Sequence, residues 1–439
     1  MGKVDLKFIN SALSMPGGSH RDKLRTFYSR IVSSDFIRKV GETFVTRICL
    51  IGIGLATSVI VARALGPEGR GLYAVAATIG AIGVQFGNLG LHASNTYYVA
   101  RNRTILPALV SNTIVVSFAF GGVGILLSWI SLSLWPQLAP VHGLLLILSL
   151  IWIPFGLAYM MLQNLLIGIQ NIRAYNKIEL TTKILGVGLI GFIVFLNTVT
   201  VEKVFLAGLV ALFISFLWAF WYLLRETHNF PKPSFALFKE NIQYGIKAYL
   251  AAFFAFLILR VDMLMVKYIL SAEEAGYYSI AVSIADMVFV LPLVIGTILF
   301  PKLSAMASNR EKWAFTRKVT VSVALVMVVV VSIAVFISRE IVRFLFGTAF
   351  MPAVPAFIWL MPGIFMLSMT SIFSSYIASQ YIPLILVILY FLIAIINMVL
   401  NWFLLPILGI IGASISSTIS YLLILIGVLL IARRFWSQK

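Results

Sequence analysis

Leu65-Gly66-Pro67-Glu68-Gly69-Arg70-Gly71-Leu72-Tyr73 returns 205 residues later as Leu270-Ser271-Ala272-Glu273-Glu274-Ala275-Gly276-Tyr277-Tyr278, with identities over 65–79 at Leu65, Glu68, Gly71, Tyr73, Ala76 and Ile79. A second echo sets Ile151-Trp152 and Gly156 against Ile358-Trp359 and Gly363 at nearly the same offset. Self-similarity at a fixed separation marks a duplicated unit. The surroundings are apolar enough to span a bilayer. At roughly 20 apolar residues per spanning helix, the chain reads as twelve spans: 42–64, 72–99, 106–130, 143–169, 178–197, 204–224, 242–268, 276–301, 319–338, 353–379, 383–404 and 410–432. Both copies of each echo fall at the same place in a six-span half. Six is even, so the halves share one orientation and are related by an axis along the membrane normal.

The fold predicted is an all-α polytopic membrane protein: two six-helix lobes, 42–224 and 242–432, around a central cleft. A basic arm over 1–41, a linker over 225–241 containing Pro231 and Pro233, and a tail over 433–439 complete it. Composition agrees. Of 439 residues, 61% are hydrophobic and 11% charged, against about 45–50% and 25% in soluble domains. This excludes an ordinary soluble enzyme, a disordered chain and a disulfide scaffold, and Cys49 is the sole cysteine. The 33 Lys and Arg against 15 Asp and Glu give +18. In a membrane protein this is a topological signal, because basic residues stay on the cytoplasmic side. With both termini inside, only Arg63, Arg70, Lys203, Lys267, Arg339 and Arg343 fall outside, and Arg47, Lys247 and Arg260 fall within spans. No cleavable signal peptide is read at the N-terminus. The arm is expected to lie along the anionic inner leaflet of the cytoplasmic membrane. Nucleic acid is not an expected partner.

The stretch Ala62-Arg63-Ala64-Leu65-Gly66-Pro67-Glu68-Gly69-Arg70-Gly71-Leu72-Tyr73-Ala74 resembles the first-loop signature of Wzx-type polysaccharide flippases, in the multidrug/oligosaccharidyl-lipid/polysaccharide (MOP) exporter superfamily. Asn88-Leu89-Gly90-Leu91 is similar to the Asp-Leu-Gly-Leu that ends the second helix there, with Asn for Asp. Arg260-Val261-Asp262 followed by Gly276-Tyr277-Tyr278-Ser279 is similar to the seventh-helix signature. Leu345-Phe346-Gly347-Thr348-Ala349-Phe350 resembles the loop between helices 9 and 10. The resemblance runs from about Ser34 to the C-terminus. It implies a two-lobe, MATE-like flippase that moves an undecaprenyl-diphosphate-linked oligosaccharide outward by alternating access. Membrane lipid and other polysaccharide-assembly membrane proteins would be its partners.

Charges inside a bilayer cost roughly 2.5–3.5 kcal/mol each on insertion scales and should face a cavity or a partner. Arg47 and Lys247 sit at similar depth in spans 1 and 7. They either line an inward-facing cleft, where a diphosphate would meet them, or snorkel to inner phosphates. Arg260 lies roughly 12 Å, and Asp286 roughly 15 Å, below the outer ends of consecutive antiparallel helices, so the two are expected to meet. The pair is either structural, or Arg260 is released to the diphosphate when Asp286 takes a coupling H⁺ or Na⁺. Asp262 points about 200° away from Arg260 at 100° per residue; it reads as an outer-rim residue or a coupling and gating acid. Asn88, Asn95, Gln163, Asn164, Gln170, Asn397 and Asn401 are candidates for sugar hydroxyls or for interhelical bonds. Pro154, Pro292 and Pro362 are candidate bending points. No metal site or cofactor is expected.

The chain reads as a transporter and not an enzyme. It has no Gly-x-x-x-x-Gly-Lys-[Ser/Thr] phosphate loop, and its outer loops are short. Alternatives are a lipid II flippase, a multidrug exporter of the same fold, and a membrane-embedded glycosyltransferase or polymerase.

Overall fold

A computed structural model describes residues 34–134, 139–227, 232–381 and 383–437. Thirteen α-helices occur among them: α1 (Ser34–Gly87), α2 (Leu91–Arg101), α3 (Leu106–Leu134), α4 (Gly143–Gly168), α5 (Ile172–Phe195), α6 (Val201–Glu226), α7 (Phe235–Ile269), α8 (Ala272–Ala305), α9 (Asn309–Phe336), α10 (Ser338–Leu345), α11 (Ala353–Ala378), α12 (Leu384–Leu408) and α13 (Ile410–Ser437). The basic arm, up to residue 33, lies outside the described residues.

Eleven helices are long and apolar enough to cross a membrane, and one of them, Thr46–Gly87 of α1, has 42 residues. Straight, it would run about 63 Å, twice the hydrocarbon thickness. It folds at Gly66, whose φ of 68° and ψ of −177° suit a residue without Cβ. Pro67 follows with no N–H to leave unpaired, as suits the first turn of a new helix. Arg70 then reaches back to hydrogen-bond Ser58, twelve residues earlier, a separation of about 18 Å along a straight helix. α1 therefore supplies two crossings, and the total among the described residues is twelve.

The sequence reading needs three corrections here. Residues 65–71 are helix on both sides of one glycine, not a loop. The second span is not continuous over 72–99: Leu89 and Gly90 take φ of 50° and 79° and separate α1 from α2. Between α9 and α11 the chain forms the short helix α10, which carries Arg339, Glu340 and Arg343 and ends against Arg63 of α1.

α4 and α11, which carry the Ile-Trp echo, are the innermost helices of their neighbourhoods. Leu157, Leu162 and Leu165 on α4, and Phe357, Ile372 and Tyr376 on α11, are fully buried. α4 packs on α3, α6, α1 and α2, and α11 on α13, α8 and α9. Large apolar side chains on the outer faces, among them Phe195, Leu325, Phe336 and Ile407, are exposed, as lipid-facing residues should be. Helices 34–226 and 235–437 meet mainly where α1 and α2 cross α7 and α8. At the Gly66 end a Cβ on Gly71 would lie 1.7 Å from the Ala272 carbonyl oxygen, and one on Gly276 1.9 Å from that of Pro67. Pro67 and Gly71 are the repeat counterparts of Ala272 and Gly276, so the contact is reciprocal. At the opposite end Gly90 and Gly245 approach in the same way. Asn241 donates to Asn95 Oδ1 at 2.8 Å and Tyr249 to the Phe86 carbonyl at 2.7 Å.

Candidate functional site

Arg260 and Asp262, two of the charged residues of α7, face opposite ways. Arg260 Nη2 meets Asp286 Oδ2 of α8 at 3.0 Å, with 33% and 48% of the two side chains exposed. Counting back from Ile269, Arg260 lies about 14 Å inside the helix. A half-exposed ion pair at that depth needs a polar cavity beside it, because lipid would impose the full insertion cost. Asp262 is not on an outer rim. It is 2% exposed, wedged where α7, α8 and α13 meet. It accepts hydrogen bonds from Tyr278 Oη, from Ser417 Oγ at 3.2 Å and from its own neighbour Met263 N at 2.8 Å. Three donors compensate the burial of one carboxylate.

Arg47 is tied sideways within the first half. Its guanidinium donates to Tyr175 Oη at 3.0 Å and sits 3.4 Å from Glu179 on α5. Lys247 is exposed on α7, and no ion pair reaches it among the described residues. The structure therefore joins Arg260 to Asp286 and leaves Arg47 and Lys247 apart.

The candidate amides divide by burial. Asn88 is fully buried. Its Oδ1 accepts the His92 N–H at 3.2 Å and its side chain meets His92 Nδ1 at 2.6 Å, so it caps the start of α2. Asn95 donates to Thr113 at 3.4 Å and accepts from Asn241. Asn397 binds Ser416 and Ser420 of α13 and takes a bond from Asn401. Gln163 donates to Tyr159 Oη at 2.8 Å, which meets Thr182 at 3.0 Å. Asn164 bonds back to the Met160 carbonyl at 2.9 Å. Asn95, Asn397 and, through Tyr159, Gln163 knit helices, the role polar side chains commonly take in lipid, whereas Asn88 and Asn164 bond locally. Gln170 is exposed, with φ of 63° in the turn after α4. Pro154, Pro292 and Pro362 all lie inside continuous helices, and Pro154 seats against Gly121 of α3.

Two arginines counted from the sequence as outer-loop charges are structural participants. Arg63 donates to the Leu345 carbonyl at 2.8 Å and to the Phe344 carbonyl, covering the exposed end of α10. Arg70 is 7% exposed between α1 and α8. It donates to Ser279 Oγ at 3.1 Å, Ser58 Oγ at 3.2 Å and Ser283 Oγ at 3.3 Å, with the Tyr73 ring 5.7 Å from its Cζ. The signal available in the sequence was the echo itself, since a glycine paired with a glycine at the repeat offset marks a close helix crossing.

Residues 37–307 match the polysaccharide biosynthesis protein family. The chain belongs to that family. The fold of this polysaccharide biosynthesis protein recurs in several solved structures. One is an inward-facing multidrug resistance MATE family transporter of the MOP superfamily, with TM-score 0.72, 14% identity, and 88% of this chain and 94% of that one covered. Another is the lipid II flippase MurJ in an inward closed conformation, with TM-score 0.72, 15% identity, and 90% and 87% covered. A variant of the Vibrio cholerae MATE transporter VcmN gives TM-score 0.61, 12% identity, and 94% and 98% covered. At such identities the likeness is one of fold. No curated protein matches the sequence. In this polysaccharide biosynthesis protein the fold sets a guanidinium and a carboxylate face to face at mid-span, each within reach of a polar ligand. Chemically, the Arg260 fork can hold a phosphate oxygen pair, and Asp286 can hold a cation or a proton.

Proposed function

We propose that this membrane protein is a flippase that carries undecaprenyl-diphosphate-linked oligosaccharide repeat units from the inner to the outer leaflet of the cytoplasmic membrane. The observation that carries the reading is the half-exposed Arg260–Asp286 pair, in a chain whose family serves polysaccharide synthesis. A diphosphate is the anion for which a bidentate guanidinium at mid-bilayer is suited, while exposed Lys247 and Arg47 supply positive charge nearer the leaflet from which it enters. The two lobes, 42–224 and 242–432 joined by 225–241, rock against one another with both termini in the cytoplasm. The crossings of α1 and α2 with α7 and α8 open in alternation, and Pro154, Pro292 and Pro362 are places where helices bend. H⁺ or Na⁺ arriving at Asp286 frees Arg260 for the diphosphate, and Asp262 transmits movement of α7 to α8 and α13 as the gating acid. No covalent bond is made or broken. Other polysaccharide-assembly membrane proteins supply the lipid-linked unit and consume it.

Replacing Arg260 by Ala should abolish surface polysaccharide at roughly normal membrane abundance. Arg260→Lys should rescue only in part, because an ammonium lacks the planar fork. Asp286→Asn should bind lipid-linked substrate without moving it. If the pair is structural alone, Asp286→Asn lowers abundance and the double variant Arg260→Met/Asp286→Leu restores both abundance and export. Restored export in that double variant overturns the role given to Arg260.

A further inference from the structure

Arg70 is a nearly buried guanidinium that no carboxylate touches among the described residues. Its three acceptors are serine hydroxyls, and two of those serines have already committed their own hydrogens, Ser279 to the Gly276 carbonyl and Ser283 to that of Ser279, both at 2.7 Å. Arg70 is therefore held in place without being neutralised. Burying a charge on neutral acceptors is costly, so an anion with several oxygens would displace the serines wherever it could reach.

The placement says which anion could. Ser279, Ser283 and Asp286 stand at i, i+4 and i+7 on α8, one face of the helix. Arg70 holds the first two and Arg260 the third. Ser283 and Asp286 are about 4.5 Å apart along the axis. Two guanidinium groups thus stand on one stripe about a turn apart, the scale of the two phosphoryl groups of a diphosphate. Arg70 is closed off by the α1–α8 crossing, where Gly71 meets Ala272 and Gly276 meets Pro67. Separation of α1 from α8 exposes it.

We infer that Arg70 is a second diphosphate-binding residue. It takes the anion from Arg260 along the Ser279–Ser283–Asp286 face as the Gly66 end opens, and so makes opening at that end depend on the substrate. The inference rests on the flippase reading above. Its energetic logic is that a ligand shifts a conformational equilibrium only by its difference in affinity between the two states. An anion that reaches Arg70 in the open state alone supplies that difference.

The test uses the full chain in vesicles of phosphatidylethanolamine and phosphatidylglycerol, with undecaprenyl diphosphate as the probe. In a Cys49→Ser background, Ala275→Cys places a thiol at a buried position next to Gly276 of the α1–α8 crossing. Its reaction with an impermeant maleimide reports opening. With Arg70 present, the probe should raise the labelling rate about tenfold, the value of one hydrogen bond to a charged group. In Arg70→Gln the probe should still bind, through Arg260, but the rise should vanish. An equal rise in Arg70→Gln overturns the inference. So does a loss of probe binding in Arg70→Gln as severe as in Arg260→Ala, because the two residues would then form one site. If the parent protein does not bind the probe at all, the flippase reading fails, and the inference with it. Should Ala275→Cys not accumulate, export per unit of protein decides. Arg70→Gln must fall about tenfold at normal abundance with Arg70→Lys intermediate, and parental export in Arg70→Gln overturns the proposal.

Discussion

Gly71→Ala is the smallest perturbation that reaches the contact between the two halves. The added Cβ would sit 1.7 Å from the Ala272 carbonyl oxygen and 2.7 Å from Gly276 N. Carbon and oxygen approach to about 3.3 Å at best, so α8 must retreat by about 1.6 Å. Both obstructing atoms are helix backbone, which cannot turn aside as a side chain can. Overpacking of this kind costs about 1–3 kcal/mol and occasionally more. A value of about 3 kcal/mol shifts the closed contact roughly a hundredfold toward separation. Gly276→Ala strikes the Pro67 carbonyl at 1.9 Å and should cost about as much. The two together should cost less than their sum, since one retreat of α8 relieves both. The assay is thermal unfolding of the purified protein together with thiol labelling at Ala275→Cys in the absence of lipid carrier. Gly71→Ala should lower the melting temperature and raise labelling. Parental stability and parental labelling in Gly71→Ala, or full additivity in the double variant, would refute the reciprocal contact.

Gly66→Ala meets no neighbour within 4 Å but must hold φ at 68°, which should cost about 1–3 kcal/mol of strain. Gly52→Ala, equally uncrowded inside the same helix, should be neutral or gain about 0.5–1 kcal/mol; equal melting temperatures for the two would refute the fold in α1. Tyr278→Phe removes one of three donors to buried Asp262 and should destabilise by about 1.5–3 kcal/mol, seen as lower abundance and melting temperature. Arg63→Gln should speed amide hydrogen exchange across α10 with little change in global melting, because it removes only the guanidinium bonds to Phe344 and Leu345. Unchanged exchange there would show that α10 does not depend on Arg63.

The sequence made the twelve crossings legible because each is a long apolar run. It also made the echo holding Gly71 and Gly276 legible as a duplication, but that the two glycines meet at a crossing is not read from that echo. It misplaced features whose cause is a partner far along the chain. Arg63 and Arg70 stand in a Gly- and Pro-rich stretch that reads as a loop. Exposed Arg63 is held by α10, about 280 residues on, and Arg70 is taken out of water beside the serines of α8, about 210 on. Asp262 read as an outer-rim acid because its donors Tyr278 and Ser417 come from other helices. The break at Leu89-Gly90 falls within the motif that resembles a second-helix end, yet the predicted span runs past it to residue 99, and the positive φ of both residues marks it. Asn88 illustrates how a motif can be visible while its work is not. Asn-Leu-Gly-Leu caps α2 by accepting an N–H, which an amide does as well as a carboxylate.

The central claim is that the chain moves a diphosphate-linked lipid across a bilayer by means of Arg260. Its most direct measurement is flipping in proteoliposomes of an undecaprenyl-diphosphate-linked oligosaccharide carrying a reporter sugar that an external enzyme or lectin can reach. The account predicts protein-dependent, saturable appearance of the reporter on the far leaflet, competed by undecaprenyl diphosphate and absent with Arg260→Ala. No movement above protein-free vesicles, or an Arg260→Ala rate equal to that of the parent, would contradict it.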